Sequence, residues 1–172
     1  KKGFNTMKGG YSQALANLRR HHIAVYGTFV FGYDHDTPDS FGEAVAYARE
    51  QSMYIAAFNH MTPFPGTPLY ARLAQENRLR FEHWLDDHYR YNELPFSPAQ
   101  LSPEAVTQGC LSARKAFYSS RSILQRSWRN RGDFFMFRNY FPINWLHHRE
   151  ISCRNGYPLG DENWQGKLAE VK

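Results

Sequence analysis

The stretch Phe58-Asn59-His60-Met61-Thr62-Pro63-Phe64-Pro65-Gly66-Thr67-Pro68-Leu69-Tyr70 decides the fold. An apolar run, Tyr54 to Phe58, leads into it, and Leu69, Tyr70, Leu73 and Ala74 leave it at helical spacing. Proline fixes φ and lacks a donor, so Pro63 and Pro65 exclude a central strand or a helix interior. Thr67 before Pro68 is a helix start, because the hydroxyl accepts an early N–H and proline suits the first helical position. The order is strand, stiff loop, helix. In α/β sheets, loops at the carboxyl ends of parallel strands are where ligands sit.

Working outward toward the N-terminus, Ile23 to Gly32 is apolar or small on both parities. Ile23, Val25, Phe29 and Phe31 share one face, Ala24, Tyr26 and Val30 the other, which predicts a strand covered on both sides in a parallel sheet. Pro38 follows Thr37, and Phe41, Ala44, Val45 and Ala48 then repeat at helical spacing, so strand, helix and strand make a βαβ unit. Its right-handed crossover brings Asp34 and Met61 to one sheet edge. A short helix over Tyr11, Ala14, Leu15 and Leu18 precedes the unit.

Beyond about Asn77, Leu79 to Leu101 has no sustained period and reads as an irregular excursion containing Trp84. Ser102-Pro103 is another hydroxyl-then-proline start. Val106, Cys110, Ala113, Phe117, Leu124 and Trp128 predict one long helix with a buried stripe, its outer face carrying Arg114, Lys115, Arg121, Arg126 and Arg129. Asn130 to Tyr140 is aromatic and basic, and the tail from Arg154 is polar.

The totals bound the class. At 172 residues, the chain has room for one domain with a real core. With 42% hydrophobic and 22% charged residues it is neither disordered nor fibrous. A formal charge of +5 on 21 basic and 16 acidic residues is a weak signal for nucleic acid. Two cysteines, Cys110 and Cys153, make no disulfide scaffold, so a cytoplasmic setting is the default, and no apolar run approaches a membrane span. The chain opens on Lys1-Lys2-Gly3-Phe4-Asn5 without methionine, and the expectation is a piece of something longer.

Several phrases carry a resemblance. They are Gly27-Thr28-Phe29-Val30-Phe31-Gly32-Tyr33-Asp34-His35-Asp36-Thr37-Pro38, then Met61 to Tyr70, then Asn77-Arg78-Leu79 with Trp84. Ala116-Phe117-Tyr118-Ser119-Ser120 and Asn155-Gly156-Tyr157-Pro158-Leu159-Gly160 add to them. In this order the set resembles the C-terminal half of a radical S-adenosylmethionine (radical SAM) domain, in the branch with an N-terminal cobalamin-binding domain. The resemblance implies an α/β fold: a partial (β/α) barrel fragment with at least two parallel strands over residues 1–80, then a mostly helical extension over 81–172 packed on it. It also implies S-adenosylmethionine and a 4Fe–4S cluster in the parent enzyme, and leaves open whether cobalamin takes part. The family's cluster needs three thiolates spaced Cys-x3-Cys-x2-Cys, which this sequence lacks, so the chain alone is expected to be inactive.

On that resemblance the cofactor-binding candidates are Phe31, Gly32, Asp34, Met61 and Pro63. Gly32 lets a ligand approach the backbone, Asp34 accepts from hydroxyl or ammonium groups, and Phe31, Met61 and Pro63 offer apolar surface to an adenine or a sulfonium. The plainer alternative is a strand-end turn with an acidic cap and a rigid connector. Asp34-His35-Asp36 reads as a turn, His147, His148 and Cys153 lack an evident fourth zinc ligand, and Cys110 reads as core. A nucleic-acid module using the basic helix and Phe134, Phe135, Phe137 and Tyr140 is the rival reading. A scaffold whose cut sheet edge pairs with a second copy is another. The expected partners are the upstream part of the same polypeptide and a small-molecule substrate, with no membrane. The exposed edge is expected either to dimerise or to be covered by the long C-terminal helix.

Overall fold

The computed structural model describes residues 10–80, 93–130 and 134–153. Trp84, the phrase Asn155 to Gly160 and the polar tail lie outside the described residues, as do the side chains of Arg129, Phe135 and Cys153. Helix α1 (Gly10–Arg20) leads to strand β1 (Tyr26–Phe31), helix α2 (Pro38–Glu50), strand β2 (Ile55–His60) and helix α3 (Pro68–Gln75). Helices α4 (Pro103–Phe117), α5 (Ser120–Ser127) and α6 (Phe134–Cys153) follow, with a 3-10 turn over Trp128–Asn130 before α6. The fold is α/β and mostly helical, as expected of a partial β/α fragment.

All three hydroxyl-proline pairs start helices. Thr67 Oγ1 accepts the Tyr70 N–H at 3.3 Å and Ser102 Oγ the Ala105 N–H at 3.0 Å. At α2, Ser40 Oγ accepts the Thr37 N–H at 3.1 Å, the return half of a capping box. Strands β1 and β2 run parallel, from Tyr26 opposite Ile55 to Phe31 opposite His60. This register puts both carboxyl ends at one rim, with Asp34 and Met61 just beyond them.

The two faces of the pair differ. Gly27, Phe29 and Phe31 share a face with Ala56 and Phe58, and this face packs on α2 and α4. Phe58 stacks on Phe29 with ring centroids 5.1 Å apart, and Phe31 meets Phe41 at 4.5 Å. At Gly109 the Phe41 ring lies 2.4 Å from where a Cβ would stand, so glycine lets α2 and α4 close together. The opposite face, Tyr26, Thr28 and Val30 beside Ile55, Ala57 and Asn59, is largely open: Tyr26 is 64% and Val30 39% exposed. Both-sided cover was expected, but α2 and α4 lie on the same side; among the described residues, Ile55 packs with Phe141 and Ile143 of α6 against the Tyr54, Ile123 and Tyr140 cluster.

The edges of the sheet differ as well. Alternation along a parallel ladder turns the backbone groups of Ala56 and Phe58 away from β1. The Tyr118 hydroxyl accepts the Ala56 N–H at 3.2 Å and donates to the Ala56 carbonyl at 2.9 Å. Arg114 Nε donates to the Phe58 carbonyl at 3.0 Å. Asn144 Nδ2 and Arg126 Nη1 donate to the Tyr54 carbonyl, and Arg126 Nη1 also to that of Met53. Helical side chains thus seal the β2 edge, while no described strand pairs with the other edge of β1.

The single long helix expected from Val106 to Trp128 is two. Ser119 breaks it, and its hydroxyl accepts the Ser122 N–H at 3.3 Å to start α5. The break changes the phase, so Ile123 is buried while Leu124 and Trp128 are 62% and 68% exposed. Arg114 and Arg126, expected on the outer face, are buried as well. Among the described residues no helix is long and apolar enough to cross a membrane.

Tyr118→Phe removes the hydroxyl that serves both backbone groups of Ala56. We expect a loss of about 2–3 kcal/mol in urea unfolding, the cost of leaving buried polar groups unpaired. A change below about 0.5 kcal/mol would show that water reaches this edge.

Candidate functional site

The rim is built by two turns. Met61 donates its N–H to the Phe31 carbonyl at 2.7 Å, extending the ladder one step past β2. At Gly32 the backbone takes φ 103°, a region that favours glycine. The buried Asp36 carboxylate holds this turn, accepting the Gly32 N–H at 2.7 Å and the Tyr33 N–H at 2.9 Å. A Cβ on Gly32 would stand 3.2 Å from the Phe96 ring, so the absent side chain also makes room for the core. On the other side Thr67 donates its N–H to the Phe64 carbonyl across Pro65 and Gly66, with Gly66 at φ 79°. Proline then positive-φ glycine is the type II pattern, which makes this loop stiff.

Asp34 lies at the junction of three segments. Its carboxylate accepts from Arg72 of α3 at 2.5 Å and from Arg78 at 2.7 Å. Arg78 also donates to Glu76 at 2.7 Å and to the Ser97 carbonyl at 2.8 Å. The hydrogen bonds from Arg72 and then Arg78 hold the Asp34 carboxyl below its usual range. A carboxylate offers about four lone-pair directions, so two remain for a ligand.

The five candidates therefore meet at one rim but present different surfaces. Phe31 and Pro63 are buried, so their backbone and shape, rather than an open ring face, border the rim. Gly32 offers main chain, Met61 is half-buried, and the Asp34 side chain keeps 37% of its surface. Nearby Tyr33 is exposed and stacks on His35 at 5.6 Å, and Phe64 is exposed. Nothing in the residue pattern singles out Arg72 or Arg78 as partners of Asp34. The capping role of Asp36 alone has a signal, an acidic residue four positions after a glycine at a strand end.

Other chemistry-bearing residues are held elsewhere. His148 Nδ1 lies 2.8 Å from the Tyr118 carbonyl, and the His147 ring stacks on Tyr118 at 4.8 Å, where burial pushes the imidazole pKa down. Cys110 is buried in α4 and burial raises its thiol to about 12, which leaves it unreactive. Among the described residues no three His, Cys, Asp or Glu side chains stand where they could hold a metal ion. An apolar groove of about 590 Å³ lies between α2 and α4, lined by Val45, Ala46, Ala105 and Gly109 among others.

The chain is 30% identical to bacteriochlorophyllide d C-12(1)-methyltransferase of Chlorobaculum tepidum over 125 residues, 73% of this chain and 26% of that protein. It is 23% identical to bacteriochlorophyllide d C-8(2)-methyltransferase of the same organism over 120 residues, 70% of this chain and 26% of that one. With the anaerobic magnesium-protoporphyrin IX monomethyl ester cyclase of Cereibacter sphaeroides it shares 27% identity over 125 residues, 70% of this chain and 19% of the cyclase. The chain thus spans about a quarter or less of the length of these curated relatives. No family model matches the chain, and no solved structure does. At this low identity the relatives support a radical SAM relationship.

Because its folded-state pKa is depressed below 3.8, Asp34 contributes stability that is present above that value and lost as pH falls through the folded one. Wild type is expected to exceed Asp34→Asn by no more than about 1 kcal/mol near neutral pH, since the ion pairs are partly exposed. Urea unfolding at a series of pH values should show the gap closing in acid. A gap that widens there would contradict the ion-pair geometry.

Proposed function

We propose that this chain is the C-terminal part of a radical SAM barrel whose parent enzyme acts on a chlorophyll-type tetrapyrrole. The observation that carries this reading is the parallel β1–β2 pair, which brings Phe31, Gly32, Asp34, Met61 and Pro63 to a single rim. The three relatives named for chlorophyll-type tetrapyrroles supply the substrate class. In this reading residues 1–80 belong to the barrel and 81–172 form its helical extension.

S-adenosylmethionine fits the rim. Asp34 would accept from its hydroxyl or ammonium groups, Met61 would support its apolar parts, and the stiff Pro63–Pro68 loop would border the site. When bound, this group supplies the radical chemistry. The residues of this chain orient it and limit water at the rim. The 4Fe–4S cluster does not fit this chain: Cys110 is buried in the helical layer and Cys153 has no thiol companions in sequence. Its thiolates belong to the upstream part of the polypeptide, which pairs along the open edge of β1, and cobalamin likewise belongs outside this chain. The parent works in the cytoplasm. The nucleic-acid reading is set aside, because Arg114 and Arg126 are buried against carbonyl groups instead of facing phosphate.

Anaerobic reconstitution of the parent polypeptide tests this, with iron uptake and a charge-transfer band expected. Met61→Ala in that parent should leave the band unchanged and raise KM for S-adenosylmethionine about tenfold, the effect of losing one apolar contact. A parent that folds but takes up no iron contradicts the class. An unchanged KM contradicts the rim assignment.

A further inference from the structure

The open face of the sheet is apolar or small apart from Thr28 and Asn59, and the two differ in how they are held. Asn59 is half-buried and stands opposite Val30 in the register, one residue before the rim. Arg114 reaches the β2 edge from α4, where its Nε donates to the Phe58 carbonyl at 3.0 Å and its Nη2 lies 3.5 Å from Asn59 Oδ1. A guanidinium only donates, so the amide must turn its oxygen to Arg114. The Asn59 NH2 group is then directed away from that edge, over the open face, and no described residue accepts from it. Thr28, by contrast, has a hydroxyl that rotates freely between donor and acceptor roles.

We propose that Asn59 is a specificity-determining residue: its Nδ2 donates a hydrogen bond to a carbonyl or carboxylate oxygen on the periphery of the substrate. This rests on the proposed function, in that the open face takes the flat, apolar body of the substrate. The apolar members Tyr26, Val30 and Ala57 contact the ring system, and the amide reads one oxygen substituent. Arg114 acts as the positioning residue. It fixes which end of the amide faces the ligand, and a buried cation beside Oδ1 makes the amide a better donor.

Fluorescence titration of the parent polypeptide tests this with two probes, magnesium protoporphyrin IX monomethyl ester, which carries peripheral oxygens, and magnesium octaethylporphyrin, which carries none. Asn59→Asp keeps the volume and an oxygen facing Arg114, so its thermal stability should equal or exceed wild type, yet the donor is gone. It should bind the first probe about tenfold more weakly and the second unchanged. Asn59→Ala should show the same pattern. If both variants bind both probes as wild type does, the Asn59 assignment is overturned while the open face stands as the binding surface. If wild type binds neither probe, both the assignment and the reading beneath it fail.

Discussion

A parallel strand at the end of a sheet directs half its backbone hydrogen-bonding groups at nothing. In this protein the outward groups of Tyr54, Ala56 and Phe58 are met by side chains of Tyr118, Arg114, Arg126 and Asn144. Each unmet buried group costs about 1–3 kcal/mol, and a domain has only about 5–15 kcal/mol in all. The helical region after Ser102 is therefore a structural requirement of β2. Its helices are placed so that their polar side chains stand where another strand's backbone would.

Arginine suits this task because its guanidinium offers several donors in a fixed plane. Arg126 donates to the carbonyls of Met53, Tyr54 and Phe117 and to Asn144 Oδ1, and lies 3.7 Å from the centre of the Phe117 ring. No carboxylate faces it among these partners, and burial lowers its pKa to about 10. It stays charged at neutral pH, neutralised by carbonyl dipoles and a ring face. Lysine, with its compact ammonium, could not span these acceptors.

Much of this architecture was legible in sequence. Thr67-Pro68 and Ser102-Pro103 announced helices through their own chemistry, and the apolar runs around Phe29 and Phe58 announced a parallel pair. What was hidden depended on distance or ambiguity. A step of seven from Phe117 to Leu124 fits one continuous helix as well as two, so the break at Ser119 left no trace in the spacing. The partners of Asp34 are 38 and 44 residues away, and an arginine in a helical pattern looks the same whether it faces water or a carbonyl. At the rim, the parallel register that the crossover rule demands brings the residues after Phe31 and His60 to the same end of the sheet. The burial of Phe31 and Pro63 followed from which face each occupies, a matter settled only by packing.

The seal on β2 has a consequence for how the protein is made. Tyr118 lies 62 residues beyond Ala56, Arg126 73 beyond Met53, and Asn144 90 beyond Tyr54. Contacts this distant in sequence form late, because the intervening chain must first be ordered. On the ribosome, β2 emerges well before any of its sealing partners, at about 5–20 residues per second. During that interval of several seconds an aromatic strand is unprotected on its outer side. The nascent chain is then most prone to aggregate, and a chaperone that shields apolar strands would raise the yield of folded protein.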